Sequence, residues 1–181
     1  MSLRIIAGRF GGRIISTPSG NITHPMSERA RNALFNSIND FIINANVLDT
    51  FAGSGAIGLE ALSRGANHVT FIEHSKQAIK TISHNIAVLK VEDKTTFVKI
   101  SVENWLQAQN NQYFDLIIAD PPYDKLQSNT IQKLFSLLKP GGLLVLSHSN
   151  RQETLIESEE VTVIKQHRHA TANLTFYRRK G

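Results

Sequence analysis

The run Val47-Leu48-Asp49-Thr50-Phe51-Ala52-Gly53-Ser54-Gly55-Ala56-Ile57-Gly58 decides the fold. Residues 47–49 form a short apolar run of the kind a buried strand uses, and Gly53, Gly55 and Gly58 follow in G-x-G-x-x-G spacing. Ala56 and Ile57 belong to a helical stretch near residues 55–64. A strand that enters a glycine turn and leaves as a helix is the opening unit of a doubly wound sheet. Ligands of such sheets lie at the carboxyl ends of the strands. The next apolar run ends at Glu73, twenty residues after Gly53, a position suited to accept hydrogen bonds from both hydroxyls of a ribose.

Asp49 selects among nucleotide ligands. A dinucleotide rests its pyrophosphate on the glycine turn and the helix N-terminus, where a carboxylate repels it. A cationic ligand gains from the same carboxylate. S-adenosylmethionine has an adenosine, a ribose, a sulfonium and an ammonium, and no phosphate, so it suits this set of residues. The competing reading makes Asp49 an exposed strand-end acid beside glycines that only turn the chain.

Outward from this unit, strand-like runs at 47–49, 68–73, 95–100, 114–120 and 142–148 alternate with helical stretches near 55–64, 75–90, 102–109 and 127–138. In the second helix, Ser75 stands at the N-cap position and Ile79, Ile82, Ile86 and Leu89 recur at helical spacing. Short, nearly continuous apolar strands separated by helices predict an α/β fold with a mostly parallel sheet covered on both faces. Runs at 161–169 and 172–179 flank Ala170-Thr171 and predict an antiparallel hairpin closing the sheet edge. Before the sheet, runs at 4–8 and 13–17 flank Arg9-Phe10-Gly11-Gly12 and predict a small hairpin. A loop with Pro18, Gly20 and Pro25 follows, and Ser27 then caps a helix bearing Ala30, Ala33, Leu34 and Ile38 on one face.

Asp120-Pro121-Pro122-Tyr123 ends the most apolar of these runs, which predicts a place in the sheet centre beside the glycine turn. Two prolines fix the backbone and remove two donors. What remains is acceptor-only: the Asp120 carboxylate and the Pro121 carbonyl, with an aromatic face from Tyr123. That set suits an amino group on a planar base, whose lone pair is delocalised into the ring. Two acceptors taking its two hydrogens draw the nitrogen toward tetrahedral geometry, so catalysis is mostly positioning and electrostatics. Tyr123 would stack the base. Asp-Pro-Pro also makes a good turn, which is the plain structural alternative.

The 181 residues carry 20 Lys+Arg, 15 Asp+Glu and a net charge of +5, unevenly spread. Residues 1–31 hold five arginines and one acid, residues 165–181 hold five basic residues and no acid, and the middle is net acidic. Basic ends around an acidic centre suggest a small-molecule site in the centre and a polyanion gripped by the termini, the plain alternative being a solvated charged surface. A hydrophobic fraction of 41% excludes wholesale disorder, and no uncharged run reaches the ~18 residues of a membrane span. The absence of Cys excludes disulfides, thiolate metal sites and a Cys nucleophile. A cytoplasmic location is expected.

These residues resemble the Rossmann-like, S-adenosylmethionine-dependent amino-methyltransferases, whose hallmark is the D/N-P-P-Y/F/W motif. Three further stretches narrow the resemblance: the hairpin Arg4-Ile5-Ile6-Ala7-Gly8-Arg9-Phe10-Gly11-Gly12-Arg13, the helix Arg29-Ala30-Arg31-Asn32-Ala33-Leu34-Phe35-Asn36, and residues 51–66. Together with the tail hairpin they cover nearly the whole chain and look like the bacterial 16S ribosomal RNA guanine-N2 methyltransferase family. The resemblance implies a seven-stranded methyltransferase domain over residues 46–181 and an RNA-binding, cofactor-covering extension over residues 1–45. It implies methyl transfer from S-adenosylmethionine, leaving S-adenosylhomocysteine, to the 2-amino group of one guanine in 16S ribosomal RNA. The small ribosomal subunit is the expected partner, and a monomer without metal is expected. Asp49, Gly53 and Gly55 would line the cofactor's methionine end, Glu73 its ribose, and Ser101 and Val102 its adenine, with Phe51 and Ser54 as further cofactor-binding residues. Asp120 would also border the cofactor. Many methyltransferases place an Asp directly after the third strand, where this chain has Ser101 and Glu103. Asp120, Pro121, Pro122 and Tyr123 would hold the target amino group. Arg4, Arg9, Arg13, Arg29 and Arg31 would contact phosphates, although the helix at 27–38 could instead cover the cofactor and leave Arg29 and Arg31 structural.

Other functions stay open on the residues alone. Related P-P-Y sites methylate amino groups of DNA adenine or cytosine, or a protein glutamine. A non-catalytic assembly factor on the same fold and a nicotinamide oxidoreductase are further alternatives, the latter opposed by Asp49. His167 and His169 alternate on a strand as two metal ligands would, without an obvious third. Trp105 and Phe41-Ile42-Ile43 are expected in the core.

Overall fold

The computed structural model describes residues 2–19, 26–108, 112–122, 127–149, 155–168 and 173–181. Two short strands, β1 (Ser2–Arg4) and β2 (Ile14–Ser16), pair antiparallel as a hairpin, and α1 (Glu28–Ser37) follows. The main sheet is built from β3 (Asn46–Asp49), β4 (His68–Ile72), β5 (Thr95–Val98), β6 (Phe114–Ala119), β7 (Leu138–His148), β8 (Val161–Arg168) and β9 (Asn173–Arg179). Helices α2 (Ala56–Ser63), α3 (Lys76–Leu89), α4 (Val102–Gln107) and α5 (Ser128–Phe135) lie between them.

The strand order is β5-β4-β3-β6-β7-β9-β8, parallel up to β7 and antiparallel through β9 and β8. The chain runs outward from β3 to β5 and then returns to β6 on the other side of β3. The reversal of direction falls between β3 and β6, and there the crossing helices leave a crevice at the carboxyl ends. Asp49 closes β3, and Asp120 follows β6 by one residue.

Alternation along the strands builds two apolar layers. Val47, Val69, Phe71, Leu116 and Ile118 join the layer that includes Leu34 and Phe35 of α1, Leu59 of α2 and Ile82 of α3. Leu48, Ile72, Ile117 and Ala119 join the opposite layer with Val102 and Trp105 of α4 and Leu134 of α5. Both faces of β6 are covered, which is why its sequence is apolar apart from Asp115 near its start, whose carboxylate accepts the Asn46 N–H and pairs with Lys139.

The N-terminal hairpin shares the first layer through Ile5, Phe10 and Ile15. Glu60, fully buried within α2, fastens it. Its carboxylate accepts the N–H groups of Ile6 at 2.7 Å and Ala7 at 3.0 Å, pairs with Arg64 at 2.7 Å and lies 3.9 Å from Arg31. Ser63 accepts two more N–H groups, its carbonyl from Arg9 at 2.7 Å and its hydroxyl from Phe10 at 2.9 Å. At 1.5 Å per residue α2 is about 12 Å long, so the loop bearing Arg9 docks at the end of α2 away from the glycine turn.

Several local expectations change. Ser27 caps α1 by accepting the Ala30 N–H at 3.2 Å, but Ser75 makes no side-chain cap on α3. The Glu73 carboxylate takes the N–H groups of His74 and Ser75 instead. Ile79 is only half-buried, and Asn85 joins the buried row in α3. Helix α5 stops at Phe135, and β7 begins at Leu138 rather than 142, because Phe114↔Leu138 already pair and a bulge after Phe114 absorbs the extra residues. Ile42 is buried, whereas Ile43 is 61% exposed. The Ala170-Thr171 connection and His169 lie outside the described residues. Among the described residues no helix is long and apolar enough to cross a membrane.

Candidate functional site

The glycine turn is held from several directions. The Thr50 N–H and hydroxyl both donate to the Ile118 carbonyl of β6, at 3.1 and 3.2 Å, and the Ala52 N–H donates to Ile72 of β4 at 3.1 Å. The Gly53 N–H donates to Glu73 Oε2 at 2.9 Å, and the Gly55 N–H donates to the Ala52 carbonyl at 2.7 Å. Gly53 and Gly55 have φ of 54° and 78°, a left-handed backbone in which any side chain beyond glycine is strained. Gly58 serves a different need: a Cβ there would stand 2.2 Å from Phe71 Cε1, so glycine lets α2 lie against β4.

Asp49 is 1% exposed. Its Oδ2 accepts the Gly58 N–H at 3.0 Å, while Oδ1 is buried with no hydrogen-bond partner among the described residues. Burial, reinforced by the negative charges of Asp120 and Glu73 and opposed by the Gly58 N–H, raises its pKa to about 7. Asp120 emerges from β6 partly exposed; burial raises its pKa to about 6, against a lowering hydrogen bond from the Ser147 hydroxyl at the end of β7. Pro121 is buried and Pro122 exposed, and Tyr123 lies outside the described residues. The turn, Asp49, Glu73 and Asp120 are thus brought to one end of the sheet, at the crevice between β3 and β6.

These residues fit S-adenosylmethionine. A buried carboxylate oxygen without a donor needs a cationic or hydrogen-bearing partner, and nothing lies within 4 Å of where a Gly53 Cβ would stand. Glu73 spends three of roughly four acceptor positions on backbone N–H groups, which leaves acceptor capacity for a hydroxyl. No Lys or Arg stands in residues 49–58 to receive a phosphate.

The chain matches the family model described as conserved hypothetical protein 95 over residues 3–178. It is 33% identical to ribosomal RNA small subunit methyltransferase D of Haemophilus influenzae, over 97% of this chain and 92% of that protein. The chain belongs to that family. The Escherichia coli protein of the same name is 32% identical over 97% of this chain and 88% of its own length. A solved structure from Escherichia coli, yhhF, superposes with a TM-score of 0.88 at 29% identity, covering 99% of both chains.

The remaining expected positions of this family member divide. Phe51 is partly exposed and packs on the second apolar layer, and Ser54 is buried in the turn. The Ser101 hydroxyl caps α4 by accepting the Asn104 N–H at 3.3 Å, and Val102 is buried in the core. Arg4, Arg9, Arg13 and Arg29 are exposed, and the Arg9 and Arg13 guanidinium groups lie 5.4 and 5.7 Å from the Phe10 ring centre. Arg31 is corrected: at 1% exposure it is interior, donating to the Arg4 carbonyl at 2.5 Å beside Glu60, and cannot reach a phosphate from there. Trp105 is buried against Phe114. His167 meets the Ser37 hydroxyl at 3.0 Å and the edge of Phe176.

Three residues that matter here escaped the sequence reading. Glu60, Asn85 and Ser147 are all buried. Each had a signal in its setting: an acid inside the apolar helix run AIGLEALS, an amide in the apolar row of α3, and a hydroxyl at the end of an apolar strand.

Proposed function

We propose that this methyltransferase uses S-adenosylmethionine to methylate the 2-amino group of a guanine in 16S ribosomal RNA, acting as a cytoplasmic monomer on the small ribosomal subunit. The observation that carries this reading is the pairing of two dissimilar carboxyl groups across the β3–β6 crevice. Asp49 is dry with one unpartnered oxygen, whereas Asp120 opens toward solvent from a strand end stripped of donors. The first suits a cation, the second an amino group.

Bound S-adenosylmethionine supplies a methyl group activated by its sulfonium. Asp49 offers its free oxygen to the positive methionine end, and Glu73 offers its remaining acceptor capacity to the ribose. Asp120 and the Pro121 carbonyl accept the two hydrogens of the target amino group, which aims the nitrogen lone pair. The nitrogen forms one bond to carbon and gives up one proton, and Asp120 is the base placed to take it. Ser147 holds that carboxyl in orientation. Arg4, Arg9, Arg13 and Arg29 offer phosphate contacts, which position the RNA without reading its sequence.

The test uses methyl-labelled S-adenosylmethionine and small ribosomal subunits that lack the modification, digested to nucleosides. Label in 2-methylguanosine is expected, and label in any other nucleoside refutes the guanine assignment. Asp120→Ala should abolish transfer while leaving S-adenosylhomocysteine affinity near wild type; comparable turnover would remove Asp120 from the chemistry.

A further inference from the structure

Asn85 lies in the C-terminal half of α3 and is 1% exposed. Its amide makes three hydrogen bonds, all to backbone. Oδ1 accepts the Ser16 N–H at 2.9 Å, and Nδ2 donates to the Ser16 carbonyl at 2.9 Å and to the Ser54 carbonyl at 2.8 Å. The partners fix the amide's orientation, since one N–H needs the oxygen and two carbonyls need the two N–H groups. Ser16 ends β2, and Ser54 stands between the two left-handed glycines of the turn.

One buried side chain therefore bridges the N-terminal hairpin and the cofactor turn. The turn's hydrogen bonds from Thr50, Ala52 and Gly53 run to the sheet and to Glu73; the bond at Ser54 leads, through Asn85, to the hairpin. The Ser54 carbonyl and the Gly55 N–H belong to one rigid peptide plane. Asn85 holds one side of that plane and the Ala52 carbonyl holds the other. Helix α3 also presses on the turn directly, because a Cβ on Gly55 would stand 2.7 Å from the Ile82 side chain.

We propose that Asn85 is a positioning residue that couples docking of the N-terminal hairpin to the shape of the S-adenosylmethionine turn. The proposal rests on the cofactor assignment above and not on the identity of the RNA. A coupling of this kind is reciprocal: whatever orders the turn tightens the hairpin, and whatever loosens the hairpin weakens the ligand. The hairpin carries Arg4, Arg9 and Arg13, so RNA held there and cofactor held at the turn stabilise each other.

Two variants cut the bridge from opposite sides. Asn85→Asp keeps the side chain's shape but sets an acceptor against the Ser16 and Ser54 carbonyls. Ser16→Pro removes the N–H that Asn85 accepts and touches nothing in the turn. The probe is S-adenosylhomocysteine, titrated by calorimetry alongside thermal unfolding and amide hydrogen exchange. Ser16→Pro should bind it about tenfold more weakly, the effect of one lost buried hydrogen bond, and Asn85→Asp, which loses two, at least as weakly. In the wild type, the ligand should slow exchange across residues 14–16, and in the variants that protection should vanish. Affinity within twofold of wild type in both variants, even with a lowered melting temperature, would make the bridge purely structural and overturn the proposal. If Asn85→Asp fails to fold, Ser16→Pro decides alone. A wild-type chain that binds no S-adenosylhomocysteine would refute the cofactor assignment and this proposal with it, leaving that failure distinct from the first.

Discussion

Gly58→Ala tests the packing logic of the glycine motif. In an ordinary helix interior the change stabilises by about 1 kcal/mol, because alanine has less backbone freedom to lose. Here the new Cβ would stand 2.2 Å from Phe71 Cε1, 2.7 Å from Cζ and 2.8 Å from Val69 Cγ1. Against carbon contacts of ~3.5 Å, the closest pair overlaps by about 1.3 Å. Phe71 and Val69 are fully buried and have no space to yield, and α2 cannot retreat without stretching the 3.0 Å bond from the Gly58 N–H to Asp49. Overlap this deep falls at the upper end of the overpacking range, ~2–3 kcal/mol, which exceeds the helix gain and leaves a net loss of about 1–2 kcal/mol. For a chain of this size that lowers the melting temperature by roughly 2–8 °C. Urea unfolding followed by circular dichroism should show an earlier midpoint with an unchanged slope. S-adenosylhomocysteine should also bind more weakly, because Asp49 loses its one partner. The double variant Gly58→Ala/Phe71→Leu, lacking the clashing ring atoms, should recover part of the loss as a favourable coupling. A single variant as stable as wild type would refute the reasoning.

Four other outcomes are expected. Asp49 and Asp120 have folded pKa values raised to about 7 and about 6 from 3.8, so their contributions to stability are complete below pH 3.8 and are lost as pH rises through about 7 for Asp49 and about 6 for Asp120. Between pH 5 and 8 the ligand-free wild type should therefore lose stability relative to Asp49→Asn, while its affinity for S-adenosylhomocysteine rises as Asp49 ionises; a pH-independent difference would exclude Asp49. Ser147→Ala removes the hydrogen bond that lowers the Asp120 pKa, so the acid limb of kcat should move to higher pH, and an unchanged profile would clear Ser147 of the role. Glu60→Gln leaves the buried Arg31 without its countercharge and should cost about 3 kcal/mol in denaturant unfolding, a loss below 1 kcal/mol speaking against the anchor. Reversing Arg9 and Arg13 to Glu should weaken RNA binding and flatten its salt dependence by about one logarithmic unit for each phosphate no longer bound, whereas an unchanged slope removes the hairpin from the footprint.

What the sequence made legible was whatever short-range pattern controls. Strand, glycine turn and helix at 47–58 follow from neighbours in the chain, as do the alternating elements and the proline-fixed end of β6. The unbroken apolar run of residues 116–119 placed β6 centrally because a strand covered on both faces has no polar side to show. What stayed hidden depends on partners far along the chain. Arg31 looks like one more surface arginine until the Glu60 carboxylate is brought to 3.9 Å. Ser75 has the side chain of a cap, yet it makes no cap bond, and the Glu73 carboxylate instead ties down the His74 and Ser75 N–H groups just ahead of α3. Asn85 reads as a polar interruption in an apolar row, and its purpose is visible only once Ser16 and Ser54 meet it.

The docking of the hairpin has a consequence for how the chain is made. The contacts that dock residues 6–16 on α2 and α3 reach far downstream: Glu60 and Ser63 hold Ile6, Ala7 and Phe10, and Asn85 holds Ser16, across 53 to 69 residues. At ~5–20 residues per second a ribosome needs about 3–14 s to make the intervening chain. For that interval the hairpin segment has none of these partners, and two strands of three residues each are too few to stand alone. The hairpin is therefore made before the helices that hold it, and its docking waits until α3 is complete.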